Sequence, residues 1–241
     1  MSIQRWLAKS RLALERDLAD KELKWKFSPL LYLQRRELLP VLRLHVRGRV
    51  LDVGCGQMPF QTYLEGQVET YDGLDVERRC ERTNYLGDAQ DMKAIGNGAY
   101  DTVVSFSVLE HLPQPQQALR EMCRVCRPGG TVVVDVPHLS RYHELPHDYY
   151  RFTEHGLSHL AEAAGLEVVE VQPLGGLAAF LGHQVSTVLV CSFWRIPVLK
   201  WGVFAANYLL VVCPTIWLDR LLKTVDVFPS SLVGVFRRPL D

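Results

Sequence analysis

Five short runs between residues 49 and 171 constrain this chain more than any other feature: RVLDVG (49–54), YDGLDV (71–76), YDTVVSF (100–106), TVVVDV (131–136) and LEVVEV (166–171). Each has the length of a strand, and each carries consecutive apolar residues or is mostly apolar, as strands covered on both faces are. Helical stretches separate them. One covers about residues 59–65, one covers 115–126 with RPGG as its stop, and one covers 153–164 with Thr153 as N-cap and Gly165 as terminator. A shorter strand is expected at Tyr85-Leu86, and SLVGVF (231–236) is the last. Alternating strands and helices imply an α/β chain built on a mostly parallel sheet.

The rest of the chain is organised differently. Residues 1–48 are read as a basic amphipathic helical arm, 49–172 as the core, 173–230 as an apolar helical insertion and 231–241 as the final core strand and tail. Pro40 is expected to kink or split the second helix of the arm, residues 30–46. With 48% apolar and 22% charged residues, disorder is excluded. The formal charge is zero, which argues against a general nucleic-acid binder. That total hides a polarity: residues 1–49 carry +7, residues 50–170 carry −10 and residues 171–241 carry +3.

Val171–Trp194 and Trp201–Leu218 contain no Asp, Glu, Lys or Arg. Arg195 and Lys200 lie between them, and both ends must return to one sheet. Helices lying on one leaflet, aided by Trp194, Trp201, Trp217 and the basic arm, are therefore expected over a spanning hairpin. The competing reading buries the insertion as a lid or dimer face, so a homo-oligomer is possible. The N-terminus has no apolar leader, and a cytoplasmic setting, with peripheral contact at the inner membrane face, is the expectation. Cys123 and Cys126 form C-x-x-C inside a helical pattern and read as buried packing residues.

Three motifs carry chemistry. VLDVGCGQ (50–57) ends a strand with an acidic residue and then offers Gly54 and Gly56, where backbone can approach a ligand with no Cβ in the way. Pro59 breaks the G-x-G-x-x-G pattern and disfavours a nicotinamide dinucleotide. Asp75 ends the next strand about twenty residues beyond those glycines, placed to accept bonds from two ribose hydroxyls. Asp88, in GDAQDM, can meet an adenine amino group or simply close an Asx-turn.

Together these motifs resemble the class I S-adenosylmethionine-dependent methyltransferases of the broad type 11 kind. AYDTVVSFSVLEHL and LREMCRVCRPGGTVVVDVP are similar to that family's fourth and fifth strands with their turns. GCGQMPF and HDYYRFTEHGLSHLAEAAGLEV resemble its G-C-G-x-x-P-[YF] branch, common in bacterial glycan and natural-product biosynthesis. The resemblance implies a Rossmann-like seven-stranded sheet with the last strand antiparallel and helices on both faces. It also implies S-adenosylmethionine as cofactor. Asp52, Gly54, Cys55 and Gly56 would line its methionine end, and Asp75 would hold the ribose. Val76 would pack on the adenine, Asp88 and Ala89 would contact its edge, and Ser105 would face the donor.

A sulfonium methyl is already electrophilic, so the protein chiefly holds the acceptor in line with it. A hydroxyl acceptor also needs a base. His147, in PHDYYRF on the loop after the fifth strand, is the candidate, with Tyr149 and Arg151 as candidate substrate contacts. His138, His143, His147 and Asp148 are ligand types, but no helical i, i+4 pattern joins them, and no metal is expected. Glu110 and His111 read as structural. The expected activity is O-methylation of a glycan, lipid-linked or other amphipathic small molecule. The alternatives are a soluble natural-product or quinone-type methyltransferase with the insertion as lid, or a non-catalytic cofactor-binding accessory protein.

Overall fold

The computed structural model describes residues 3–18 and 22–240, without the side chains of Ile3, Gln4 and Ala8. Residues 1, 2 and 19–21 of the expected arm and residue 241 of the expected tail lie outside the described residues.

Seven strands form one sheet: β1 Gly48–Val53, β2 Val68–Asp75, β3 Thr83–Leu86, β4 Tyr100–Phe106, β5 Cys126–Pro137, β6 Glu167–Leu174 and β7 Ser231–Arg237. Their order is β3-β2-β1-β4-β5-β7-β6. The pairs β1–β2, β1–β4, β2–β3 and β4–β5 are parallel, and β7 runs antiparallel to β5, with Val133 opposite Val235. The seven-stranded sheet with its reversed last strand is therefore as expected. Val103, Val132, Val134 and Leu119 are buried in its main core.

Helices α3 (Pro115–Val125) and α4 (Glu154–Ala163) belong to this unit. Thr153 caps α4, its Oγ1 accepting from the Gly156 N–H at 3.1 Å. The last turn of α3 is closed from a distance by the Arg238 guanidinium, which donates to the carbonyls of Cys123, Arg124 and Cys126 at 3.3, 3.0 and 2.8 Å. RPGG does not stand between helix and strand as a loop. It lies within β5, where Gly129 has φ +71 and a Cβ on Gly130 would come within 2.6 Å of the Cys126 sulfur. The helix expected near 59–65 is only a single 3-10 turn, Gln61–Tyr63, confined between Pro59 and Gly66.

The chain divides into two compact units, Leu38–Pro173 with Ser231–Asp241, and Met1–Glu37 with Leu174–Ser230. The division falls inside α2 (Pro29–His45) rather than at residue 48. Leu38, Val41, Leu42 and Val46 are buried, and the Gln67 amide donates to the carbonyls of Leu42, Arg43 and Val46 at 3.3, 3.2 and 2.7 Å. The last turns of α2 thus belong to the sheet unit. Pro40 sits inside α2 and does not split it.

The second unit is helical: α1 (Ile3–Leu18), the start of α2, α5 (Leu177–Phe193), α6 (Pro197–Asn207) and α7 (Cys213–Leu222). Arm and insertion share a core of Leu14, Leu18, Phe27, Val190, Trp194 and Phe204. A Cβ on Gly182 would lie 2.7 Å from Thr215 and 2.8 Å from Pro29, so α5 packs closely against both. The Asp219 carboxylate accepts from the Gly176 and Ala179 N–H groups at 3.0 Å each and so caps α5. A π turn at Tyr208–Val212 joins α6 to α7, and the resulting 26-residue helix Pro197–Leu222 is long and apolar enough to cross a membrane.

Candidate active site

The glycine turn follows β1 at the carboxyl edge of the sheet, where ligands of open α/β sheets bind. The N–H groups of Gly54 and Cys55 both donate to the Leu74 carbonyl, at 2.8 and 3.1 Å, and tie the turn to β2. Gly54 has φ +71, and a Cβ there would strike Val108 Cγ2 at 2.3 Å. Gly56 has φ +50, and a Cβ there would meet nothing within 4 Å. One glycine is thus enforced by packing, whereas the other borders open space.

Two carboxylates flank the turn. Asp52 is buried; the Tyr71 hydroxyl donates to its Oδ2 at 2.9 Å, while Oδ1 has no hydrogen-bond partner. Burial pushes its carboxyl up to about 7, the charge of Asp75 adds to the rise, and the Tyr71 bond opposes it. Asp75 Oδ2 accepts from the Gly56 N–H at 2.9 Å and Oδ1 from the Glu77 N–H at 3.1 Å. Each oxygen keeps a second lone pair, so hydroxyl donors can still bind. An orphaned buried carboxylate oxygen, open space over Gly56 and a second carboxylate fit a ligand with a cationic, donor-bearing end and a hydroxylated ring.

The other expected residues occupy varied settings. Cys55 is buried, and burial pushes its thiol up to about 12, so it is an unreactive packing group. Val76 is 67% exposed, an apolar surface beside Asp75. Asp88 Oδ1 accepts from the backbone and side-chain N–H of Gln90 at 2.8 and 3.1 Å, which is an Asx-turn. Ala89 is buried in the sheet core. Ser105 does not face an open rim: it is buried, and its hydroxyl donates to the Val53 carbonyl at 2.9 Å, bracing β4 against β1.

The loop after β5 is held by Asp148. Arg151 grips it with two bonds, of 2.6 and 2.9 Å, and also donates to the Arg141 carbonyl at 2.8 Å. The Arg151 bonds to the carboxylate, and then the His143 N–H, hold the Asp148 carboxyl down at about 2. Arg151 thus shapes the loop. His147 is exposed, and its Nδ1 shares a 3.0 Å hydrogen bond with the Tyr149 hydroxyl. His138 Nδ1 bonds the Phe152 carbonyl at 2.7 Å. The four residues His138, His143, His147 and Asp148 do not converge as a single ligand set. Cys126 is buried with its thiol pushed up to about 12.

Sequence reasoning missed two features of this edge. Met58, Ser107 and Glu144 adopt positive φ, of +50, +54 and +53, in the segments after β1, β4 and β5. Side chains rarely hold that conformation, and such strain concentrates where a site is built. Phe60 and Phe106 also pair at 4.6 Å across the glycine turn and β4. Aromatic identity was visible in the sequence, but neither the pairing nor the backbone sign has a local sequence signal.

Comparison with known proteins places the chain in a family. The family described as Methyltransferase domain matches residues 25–171. A ubiquinone biosynthesis O-methyltransferase of Thiobacillus denitrificans is 28% identical over 155 residues, 51% of this chain and 66% of the relative. A phosphatidylethanolamine N-methyltransferase of Cereibacter sphaeroides is 30% identical over 166 residues, 57% of this chain and 80% of the relative. In fold, the chain is similar to a SAM dependent methyltransferase from Archaeoglobus fulgidus, with a TM-score of 0.58, 16% identity and coverage of 94% and 99%. The chain belongs to the methyltransferase domain family and is a class I S-adenosylmethionine-dependent methyltransferase.

Proposed function

We propose that the enzyme O-methylates an amphipathic, lipid-like acceptor at a membrane surface, a class that includes lipid-linked glycans and long-chain quinols. The observation that carries this reading is the outer face of the helical unit. Leu181, Val185 and Val188 on α5 and Leu209, Leu210, Trp217 and Leu221 on the Pro197–Leu222 helix are all more than half exposed. An open groove of about 510 Å³ runs along α5, lined by Gln184, Val185, Val188, Leu189, Ser192 and Phe193. Large apolar side chains exposed in this number on one helical unit suit contact with a membrane or another apolar surface. The arm in the same unit is basic, as anionic leaflets favour. The names of the two relatives point to lipid acceptors as well.

S-adenosylmethionine supplies the electrophilic methyl group. Asp52, Gly54, Cys55 and Gly56 would hold its amino-acid end, Asp75 its ribose, and Val76, Asp88 and Ala89 its base. Ser105 keeps β4 and β1 in register beneath it. His147 would take up the proton that the acceptor's hydroxyl gives up on receiving the methyl group, which leaves the donor's sulfur as that C–S bond breaks. In the tautomer that donates from Nδ1 to the Tyr149 oxygen, Nε2 would be the base. Tyr149 contacts the acceptor, and Arg151 holds the loop that presents both.

Vesicle flotation and methyl transfer test the reading together. The protein is expected to float with anionic vesicles at low salt, to release as salt rises, and to place labelled methyl into the organic phase of a lipid extract. Absence of vesicle binding, with label only in water-soluble products, removes the membrane-surface acceptor. The second reading, a soluble enzyme whose apolar helices cover a quinone-type tail, then takes its place, favoured by the α5 groove.

A further inference from the structure

The turn after β4 buries a carboxylate that the site above does not use. Glu110 is fully buried, and neither of its carboxylate oxygens has a hydrogen-bond partner. Two imidazoles face it: Nε2 of His111 lies 3.7 Å and Nε2 of His143 lies 3.6 Å from Glu110 Oε1. The rings meet edge to face with centroids 4.8 Å apart. One ligand atom from each of the three residues lies within 4.8 Å of the others.

Their outer bonds fix which nitrogens are available. His111 Nδ1 lies 2.6 Å from the His147 carbonyl and His143 Nδ1 lies 3.2 Å from the Arg141 carbonyl. A carbonyl only accepts, so the His111 Nδ1 carries a proton, as does the His143 Nδ1 in its shorter bond, the Arg151 Nη2 lying farther off at 3.5 Å. In the neutral rings, both Nε2 atoms then keep a lone pair, 3.7 and 3.6 Å from the buried carboxylate oxygen. This is the arrangement of metal-binding histidines, whose second nitrogen donates to a backbone oxygen. A shared proton does not resolve it, because 3.6–3.7 Å exceeds hydrogen-bond distance. Arg151, the guanidinium whose field reaches Glu110, directs its hydrogen bonds to Asp148 and to backbone carbonyls, with its Nη2 also 3.5 Å from His143 Nδ1. A four-coordinate zinc-type ion sets its ligand atoms about 3.3–3.6 Å apart, close to the distances from Glu110. The backbone is held as well, with the Tyr149 N–H donating to the Glu110 carbonyl at 2.8 Å.

We propose that Glu110, His111 and His143 form a mononuclear site for a divalent transition-metal ion of the zinc type, clasping the turn after β4 to the loop after β5. Two imidazoles and one carboxylate suit such ions, and three protein ligands leave a fourth position for water or a substrate oxygen. The site does not depend on which acceptor is methylated.

The test uses the chelator-stripped full chain exposed to Co2+ and then to Zn2+. One equivalent of Co2+ with visible d–d absorption, displaced by Zn2+, is expected. Glu110→Gln and His143→Ala should each weaken Zn2+ binding by about 100-fold or more, while His155→Ala, an exposed residue of α4, should leave it unchanged. Circular dichroism verifies that each variant is folded. Folded parent protein that takes up less than one-tenth of an equivalent overturns the proposal. So do folded Glu110→Gln and His143→Ala variants with the parental cobalt spectrum, or a His155→Ala variant as impaired as they are.

Discussion

The two glycines of the β1 turn should fail in opposite ways when replaced by alanine. Gly54→Ala forces a side chain into φ +71 and drives its Cβ to 2.3 Å from Val108 Cγ2. The left-handed conformation costs about 1–2 kcal/mol and overpacking a further ~1–3 kcal/mol. The sum of about 2–5 kcal/mol, at roughly 2–4 °C per kcal/mol, lowers the melting temperature by about 4–20 °C. Gly56→Ala incurs only the backbone term, because its Cβ meets nothing within 4 Å. Its melting temperature should fall by only a few degrees. Its Cβ does enter the space assigned to the cofactor, so affinity for S-adenosylhomocysteine should drop at least tenfold, about 1.4 kcal/mol. Thermal unfolding of the ligand-free protein and titration calorimetry separate the two effects. A Gly56→Ala protein with parental affinity would show that no ligand crosses that glycine. A Gly54→Ala protein that melts with the parent would refute the steric argument.

Further predictions follow from the carboxylates and the loop after β5. Between about pH 4 and 7 the unfolded chain ionises Asp52 while the native chain keeps it protonated. Ligand-free stability therefore falls as pH rises through that window, by at most about 1.4 kcal/mol per pH unit, and Asp52→Asn should flatten the profile measured by urea unfolding. Asp75→Ala removes the acceptor for the Gly56 and Glu77 N–H groups. It should weaken cofactor binding by about 1–3 kcal/mol in calorimetry, and an unchanged Kd refutes the ribose role. His147→Ala should lower kcat by about 100-fold or more with little change in cofactor affinity, and full turnover assigns His147 to the scaffold.

The sheet was legible because its signal is local. TVVVDV and YDTVVSF can hardly be buried in any other way, and Thr153 carries its cap in its own side chain. The boundary inside α2 was not legible, because it depends on Gln67 reaching the last carbonyls of that helix from beyond β1. The joining of arm and insertion depends on Trp194 and Phe204 meeting Leu14 and Phe27, more than 150 residues apart in sequence. At the candidate site, spacing alone was enough to expect Gly56 and Asp75 at one sheet edge, where they share a hydrogen bond. Ser105 has the residue type of a rim group, but strand register turned its hydroxyl to Val53. Glu110 looked structural because nothing in VLEHL tells of His143 approaching from another loop.

The position of β7 bears on how the molecule comes to be made. It separates β5 from β6, so β6 gains its neighbour in the sheet only after residues 231–237 have been synthesised. Until then, β5 and β6 each present an unsatisfied strand border on the nascent polypeptide. A ribosome stalled anywhere between 175 and 230 should hold a chain prone to self-association, and premature termination there should yield inclusion bodies rather than a smaller working enzyme.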